Sequence, residues 1–461
     1  MERVDVAIVG GGPAGSSAGR AAAAAGADAV IFERGIPRED REGLGPDSTD
    51  AAGFLDYWLE IADLNYHEIP RDVILQSLSG AEFIGPSEQV GFTRTAAKSS
   101  YPGFGFTFHR ARFDDWLCER AEEAGAEYRL GTVVRSVDSE STAGGYSHTL
   151  TLRDGSQLKT DFVILADGPQ RTVTIPTLDQ FTPDEHLVGE VLNPRRTNHV
   201  AYQEYRRFPE ELFDPRTLKF WWGWMPGETA YPWVFPNEER IARVGLTTPI
   251  GLDLDEVSNP GAYRLLSEDD EYVPRGDVYI RRLLEEAYPG YCPDDFPLVE
   301  DRGKDGGTET YPISSTRPID SPTKAGIAVA GGAMGTTSPF HEGGDHVAIR
   351  TGELAGRLAA QGRLEAYNDA WKAAIGDEVL KNSILAAMAQ GFEPHDWDRT
   401  FRTINRLDEK LSRLRPMGPR DIEWIRTAGR GGLRMVTSFA WHRRRLADGG
   451  YVKLHEDKYT Y

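Results

Sequence analysis

The most restrictive feature of this chain is a turn too tight for side chains. Residues 4–33 read VDVAIVGGGPAGSSAGRAAAAAGADAVIFE. An apolar run (Val4, Val6, Ala7, Ile8, Val9) predicts a buried strand, an alanine-rich stretch predicts a helix, and Ala29 to Phe32 predicts a second strand. Gly10, Gly12 and Gly15 fall between strand and helix in G-x-G-x-x-G spacing. Such glycines serve a tight turn, close backbone approach to a pyrophosphate, and close helix–strand packing, with the diphosphate on the helix N-terminus. Glu33 lies about 20 residues on, where a carboxylate bonds ribose hydroxyls. Strand, loop, helix and acid together point to a dinucleotide.

At 461 residues the chain has room for two or three domains. It lacks an apolar run of about 18 residues, so no spanning helix is expected, and its N-terminus enters a strand directly, so no signal peptide is expected. Two cysteines, Cys118 and Cys292, cannot build a disulfide framework or a four-thiolate iron–sulfur site. They imply a reducing, cytoplasmic compartment, with Cys118 a small core residue in a helical pattern. No metal site is expected. The net charge of −20 argues against nucleic acid as a partner. With 42 Arg, only 10 Lys and this acidity, the composition suits a halophilic archaeon. Residues 399–445 invert the balance, with thirteen basic against four acidic residues. Apolar residues such as Trp424, Phe439 and Trp441 interleave with them. Two readings stay open: helices salt-bridged to the acidic body, or a peripheral patch resting on anionic lipid.

The periodicities predict an α/β chain with added α+β elements. A Rossmann-type dinucleotide-binding domain is expected over 1–173 and 311–360, interrupted by an antiparallel-sheet substrate domain over 174–310. A helical region over 361–461 follows. A helix from Phe113, a strand near Thr132 to Val137, polar loops near Ser139 to Gly145 and Glu268 to Tyr272, a hairpin turned at Asp154-Gly155 and a buried strand Phe162 to Ala166 fill in the first part.

Four elements resemble the geranylgeranyl reductase family of FAD-dependent oxidoreductases, which shares the p-hydroxybenzoate hydroxylase fold. They are the glycine loop with Glu33; Arg110, Phe113 and Asp114 as R-x-x-F-D; Ala166-Asp167-Gly168; and Tyr231 to Pro236, which match Y-x-W-x-F-P, with Gly245 downstream. The resemblance implies FAD and extends its contacts to Ala14, Arg34, Arg110, Val134, Asp167, Gly168, Gly332, Gly335 and Gly344. It makes Tyr231, Trp233, Phe235 and Pro236 an isoprenoid-binding wall, with Trp222 and Trp224 as a second. Alternation puts Tyr231, Trp233 and Phe235 on one strand face, and an apolar slot is what a chain without polar handles requires.

The implied reaction is saturation of C=C bonds in isoprenoid lipids or prenyl quinones. Its implied catalytic residues are His341, as proton donor, and Tyr231. No second dinucleotide unit appears after residue 168, so ferredoxin or NADPH would deliver electrons by diffusion. The sequence departs from the family twice. Gly332 replaces the aspartate that bonds the FAD ribityl chain, and Glu342 replaces the first glycine of P-x-x-G-x-G. Two alternatives remain. One is a flavin-dependent monooxygenase or halogenase on the same fold; a halogenase needs a catalytic lysine, and the nearest candidate is Lys98. A flavin-binding protein without turnover would agree with the loss at Gly332.

Overall fold

The computed structural model describes residues 1–36, 53–93, 95, 99–182, 187–192, 198–302, 306–314, 316–413, 436–447 and 449–461. The first sheet, of seven strands among the described residues, is centred on Glu2–Val9. That strand pairs in parallel with Ala29–Phe32 on one side and Gln157–Leu165 on the other. Glu127–Arg129 extends one edge in parallel, and Ile327–Val329 adds to Gln157–Leu165. Val6 to Val9, Ala29 to Phe32 and Ile327 to Val329 are buried, as parallel strands covered on both faces must be. The hairpin turns at Asp154-Gly155, as expected, between Gly145–Leu152 and Gln157–Leu165.

The expected polar loop at 139–145 is instead the strand Val134–Thr142 and its turn. Its exposed residues, Ser141 and Thr142 among them, face solvent from a one-sided antiparallel pair, so polarity there signals exposure rather than a break in the strand.

The helices Pro13–Ala24 and Asp345–Ala360 touch backbone to backbone over the first sheet. A Cβ on Gly352 or Gly356 would lie 2.0 Å from the Ala14 carbonyl oxygen or 1.9 Å from that of Ala18. These small residues sit four apart on each helix, hence on one face. Ala14 therefore serves helix packing.

The second sheet runs Thr308–Ser314, Asn198–Arg207, Ile241–Pro249, Tyr231–Pro236, Thr217–Trp221, Gly80–Ile84, Gln89–Phe92. All its pairings are antiparallel except Thr217–Trp221 with Gly80–Ile84. Strands 80–84 and 89–92 thus join this sheet although they precede residue 174. One face packs on the helix Gly276–Ala287 through Trp221, Trp224, Val234, Val244 and Leu246. The other carries Trp222, Tyr231, Trp233 and Phe235 and meets Trp397 and Phe401 of the helix Pro394–Arg413.

Candidate functional site

Two cavities meet at one ion pair. The first, about 900 Å³, opens above the glycine turn. Gly10, Gly12, Glu33, Arg34, Arg110, Val134, Asp167 and Gly168 line it. Its glycines divide their work. Gly10 has φ +100°, and a Cβ there would sit 2.3 Å from the Ala166 carbonyl oxygen. A Cβ on Gly15 would lie 1.8 Å from the Gly10 carbonyl oxygen, so Gly15 packs the helix against the turn and does not line the cavity. A Cβ on Gly12 would meet nothing within 4 Å. The helix beginning at Pro13 has no side-chain cap and no acidic residue in its first turn. Its N–H groups and positive dipole end are left for an anion, and the open side of Gly12 lets a diphosphate approach. The residues present fit a dinucleotide.

Glu33 is held in place by two backbone donors, Gly11 N to Oε2 and Gly35 N to Oε1, both at 2.6 Å. Sequence reasoning missed Tyr128, whose hydroxyl donates to the Gly11 carbonyl and lies 3.1 Å from Ser16 Oγ. It covers Gly11 so closely that a Cβ there would come within 2.2 Å of it. Nothing in the motif spacing marks this aromatic. Cys118, expected as a core residue, is half-buried and lines this cavity, its thiol pushed up to about 12 by burial.

Asp167 lies in the cavity wall, yet its carboxylate accepts from Val173 N at 2.7 Å, Thr174 N at 3.1 Å and the Thr174 hydroxyl. It fastens the start of Thr174–Asp179. Burial raises its pKa against those hydrogen bonds. Gly332 and Gly335 stand back from the cavity lining. Buried Arg171 binds their loop, donating from Nη2 to the Gly332 carbonyl at 3.0 Å and from Nε to that of Ala333 at 2.9 Å. A Cβ at Gly335 would strike Thr316 Oγ1 at 2.4 Å, so this glycine serves the turn.

The second cavity, about 310 Å³, is walled by Tyr231, Trp233, Phe235, Trp222, Phe220 and Phe340, among others. Trp222 stacks on Tyr231 at 4.4 Å and on Phe340 at 5.3 Å, and lies 4.5 Å from Trp397. Gly245 pairs with Trp233, and a Cβ on it would fall 2.4 Å from the indole, so the glycine gives that ring its place. Two expected wall residues face elsewhere. Trp224 points to the opposite face of the sheet and donates to the Gly85 carbonyl at 3.0 Å. Pro236 is buried outside the lining, and its carbonyl accepts from Thr107 Oγ1 at 2.7 Å.

Gly344, His341, Glu342 and Asp345 also line this cavity. Arg110, in the wall of the first, reaches Asp345 with Nη1 at 3.1 Å and Asp114 with Nε at 2.8 Å. That bridge joins a wall residue of the first cavity to one of the second. The polar end of the second cavity holds Tyr57, Lys381 and Asn382 around Glu378, which also lies 3.9 Å from His341 Nε2. Burial pushes the Glu378 carboxyl up, but His341 and Lys381 outweigh it and hold the pKa well below the usual carboxylate range. His346, stacked on Trp58 at 4.4 Å, is pushed down to about 3 by burial and stays neutral.

Residues 43–186 match the sequence model of the tryptophan halogenase family. The chain is 28% identical over 434 residues to digeranylgeranylglycerophospholipid reductase 2 of Methanopyrus kandleri, spanning 85% of this chain and 91% of that one. The chain resembles the geranylgeranyl reductases along most of its length. Among solved structures, a geranylgeranyl bacteriochlorophyll reductase-like protein of Thermoplasma acidophilum shares the fold at a TM-score of 0.67 and 21% identity, covering 97% of this chain and 99% of that one. A myxobacterial FAD-dependent chondrochloren halogenase aligns at a TM-score of 0.57 and 18% identity, over 95% and 98% of the two chains.

Against the geranylgeranyl reductase pattern, the structure gives both departures a physical setting. Gly332 has an ordinary backbone, and a Cβ there would sit 3.5 Å from Pro169, so a side chain is sterically admissible. Glu342, where the motif has glycine, has φ +58°, a left-handed conformation that costs a non-glycine residue about 1–2 kcal/mol. Lys98 lies outside the described residues.

Proposed function

We propose that this protein is an FAD-dependent reductase that saturates C=C bonds of isoprenoid chains, in membrane lipids or prenyl quinones. The observation that carries the reading is an aromatic, apolar cavity meeting a dinucleotide-fitted cavity at Arg110–Asp345. Gly10, Gly12, Glu33, Arg34, Arg110, Val134, Asp167 and Gly168 would hold FAD, with the diphosphate at the Pro13–Ala24 N-terminus. The first sheet, with those parts of 1–173 and 311–360 that lie outside the second sheet, forms the FAD-binding part, and the second sheet, including strands 80–84, 89–92 and 308–314, forms the substrate part. When bound and reduced, FAD supplies the hydride. Tyr231, Trp233 and Phe235 hold the isoprenoid chain and exclude water from it. Ferredoxin or NADPH delivers electrons by diffusion.

No helix among the described residues is long and apolar enough to cross a membrane. The described part of the basic segment includes an ion pair to the body, Arg402 to Glu88 at 2.8 Å. Residues 414–435, in its middle, lie outside the described residues. Contact of this segment with anionic lipid belongs to the proposal.

The test is an anaerobic incubation of the purified, reduced protein with geranylgeranyl lipids and prenyl quinones, read by mass spectrometry. A gain of two hydrogens per reduced bond, with cofactor reoxidation, is the expected result. The tryptophan halogenase match favours one second reading, a flavin-dependent halogenase. Halide incorporation under oxygen, with no anaerobic alkene reduction, would establish it instead.

A further inference from the structure

Saturating one double bond breaks the π bond and makes two C–H bonds, one from a hydride and one from a proton. The reductase reading provides the hydride but leaves the proton unassigned. Tyr231 and His341 are poorly placed to give theirs. The Tyr231 hydroxyl donates to the His341 carbonyl at 2.8 Å. His341 Nδ1 accepts from Gly343 N at 3.2 Å, so the neutral ring carries its hydrogen on Nε2, toward Glu378.

Glu342 is different. It lines the apolar cavity with a side chain only 4% exposed, and its Oε1 lies 3.3 Å from His199 Nδ1. His199 Nε2 lies 2.9 Å from the Glu228 carbonyl oxygen. A carbonyl only accepts, so Nε2 bears a hydrogen. In a neutral ring Nδ1 would then be an acceptor, facing a carboxylate oxygen that is also an acceptor. A proton between them, as imidazolium–carboxylate or imidazole–carboxylic acid, turns this 3.3 Å approach into a favourable contact.

We propose that Glu342 is the general acid that protonates the alkene carbon, and that His199 is the positioning residue that keeps it loaded. The inference rests on the reductase reading and deepens it. His199 is more exposed than Glu342, and its partner carbonyl lies at the surface, so a proton spent into the cavity is replaced from water through His199. The strained backbone at Glu342 fits this role, since strain of that kind persists where the surroundings over-determine a functional side chain. The groups facing the dyad are Thr229, at 3.4 Å from His199 Nε2, and Tyr231, whose phenol is raised by burial and by the Glu342 charge. His341 is its chain neighbour.

The test compares wild type with Glu342→Gln. Removing a general acid slows transfer by about 10²- to 10⁴-fold. Single-turnover reoxidation by an isoprenoid alkene should fall by at least about 100-fold in E342Q, with bound flavin unchanged and partial rescue by E342D. Wild-type transfer should slow as pH rises and the dyad empties, a limb that E342Q lacks. Independently of turnover, nuclear magnetic resonance of labelled wild type at neutral pH should show His199 doubly protonated or the Glu342 carboxyl protonated. If E342Q does not fold, E342G, suited to the positive φ, carries the same comparison. A neutral His199 beside an ionised Glu342, or an active wild type with E342Q within about threefold of it, overturns the assignment. A wild type that reduces no isoprenoid alkene overturns the reductase reading itself, and the acid role with it.

Discussion

Gly12 and Gly15 belong to one motif but should fail in opposite ways when replaced by alanine. In G15A the new methyl would stand 1.8 Å from the Gly10 carbonyl oxygen and 2.9 Å from its carbon, both backbone atoms in the turn itself. Neither can yield without moving the helix off the sheet. Overpacking of this kind costs about 1–3 kcal/mol and more where backbone must shift. In G12A the methyl enters open space from a backbone at φ −73° and ψ −171°, which alanine adopts without strain. The same 1–3 kcal/mol clash then falls on a bound diphosphate, equivalent to about 5- to 150-fold weaker binding. The assays are thermal unfolding of the apoprotein and flavin titration followed by fluorescence quenching. The expected pattern is a lower Tm for apo-G15A, a Tm for apo-G12A near that of wild type, and weakened flavin binding by G12A. A G12A protein that binds flavin with wild-type affinity would refute the placement of the diphosphate. A G15A protein as stable as wild type would refute the packing argument.

Three further outcomes follow from other positions. Gly332→Asp restores a carboxylate that the backbone admits, and a charge-assisted hydrogen bond of about 1.5–3 kcal/mol should tighten FAD by about 10- to 150-fold in the same titration. Trp222→Ala removes a buried ring stacked on Tyr231 and Phe340; unfolding should show a loss of about 3–5 kcal/mol, and product analysis a shift toward bulkier chains. Glu378→Gln should cost about 1–3 kcal/mol above the ordinary carboxylate pKa of 4.5. Because the folded pKa lies below that value, the contribution is complete above it and fades as pH falls toward the folded pKa. Denaturant unfolding across acidic pH should show the gap between variant and wild type narrowing.

Much of this protein was determined locally. The Val4–Glu33 segment builds strand, turn, helix and the cavity-lining Glu33 from consecutive residues, so its spacing alone marked the first cavity's floor. Alternation likewise put Tyr231, Trp233 and Phe235 on one face, because a strand's side chains have a period of two. Tertiary structure decided what period cannot. Trp222 and Trp224 are two apart, yet the chain leaves its strand at Trp221, and the two rings go to opposite cores. Ala14 became a packing residue because a second helix, more than 300 residues away, presses onto the first. Strands 80–84 and 89–92 crossed to the second sheet because hydrogen-bonding partners are chosen in space. Tyr128 at Gly11, Arg110 at Asp345 and His199 at Glu342 are long-range pairings that no local pattern encodes. The sequence could mark Glu342 as a departure; only the fold placed an imidazole against its carboxylate at the wall of the apolar cavity.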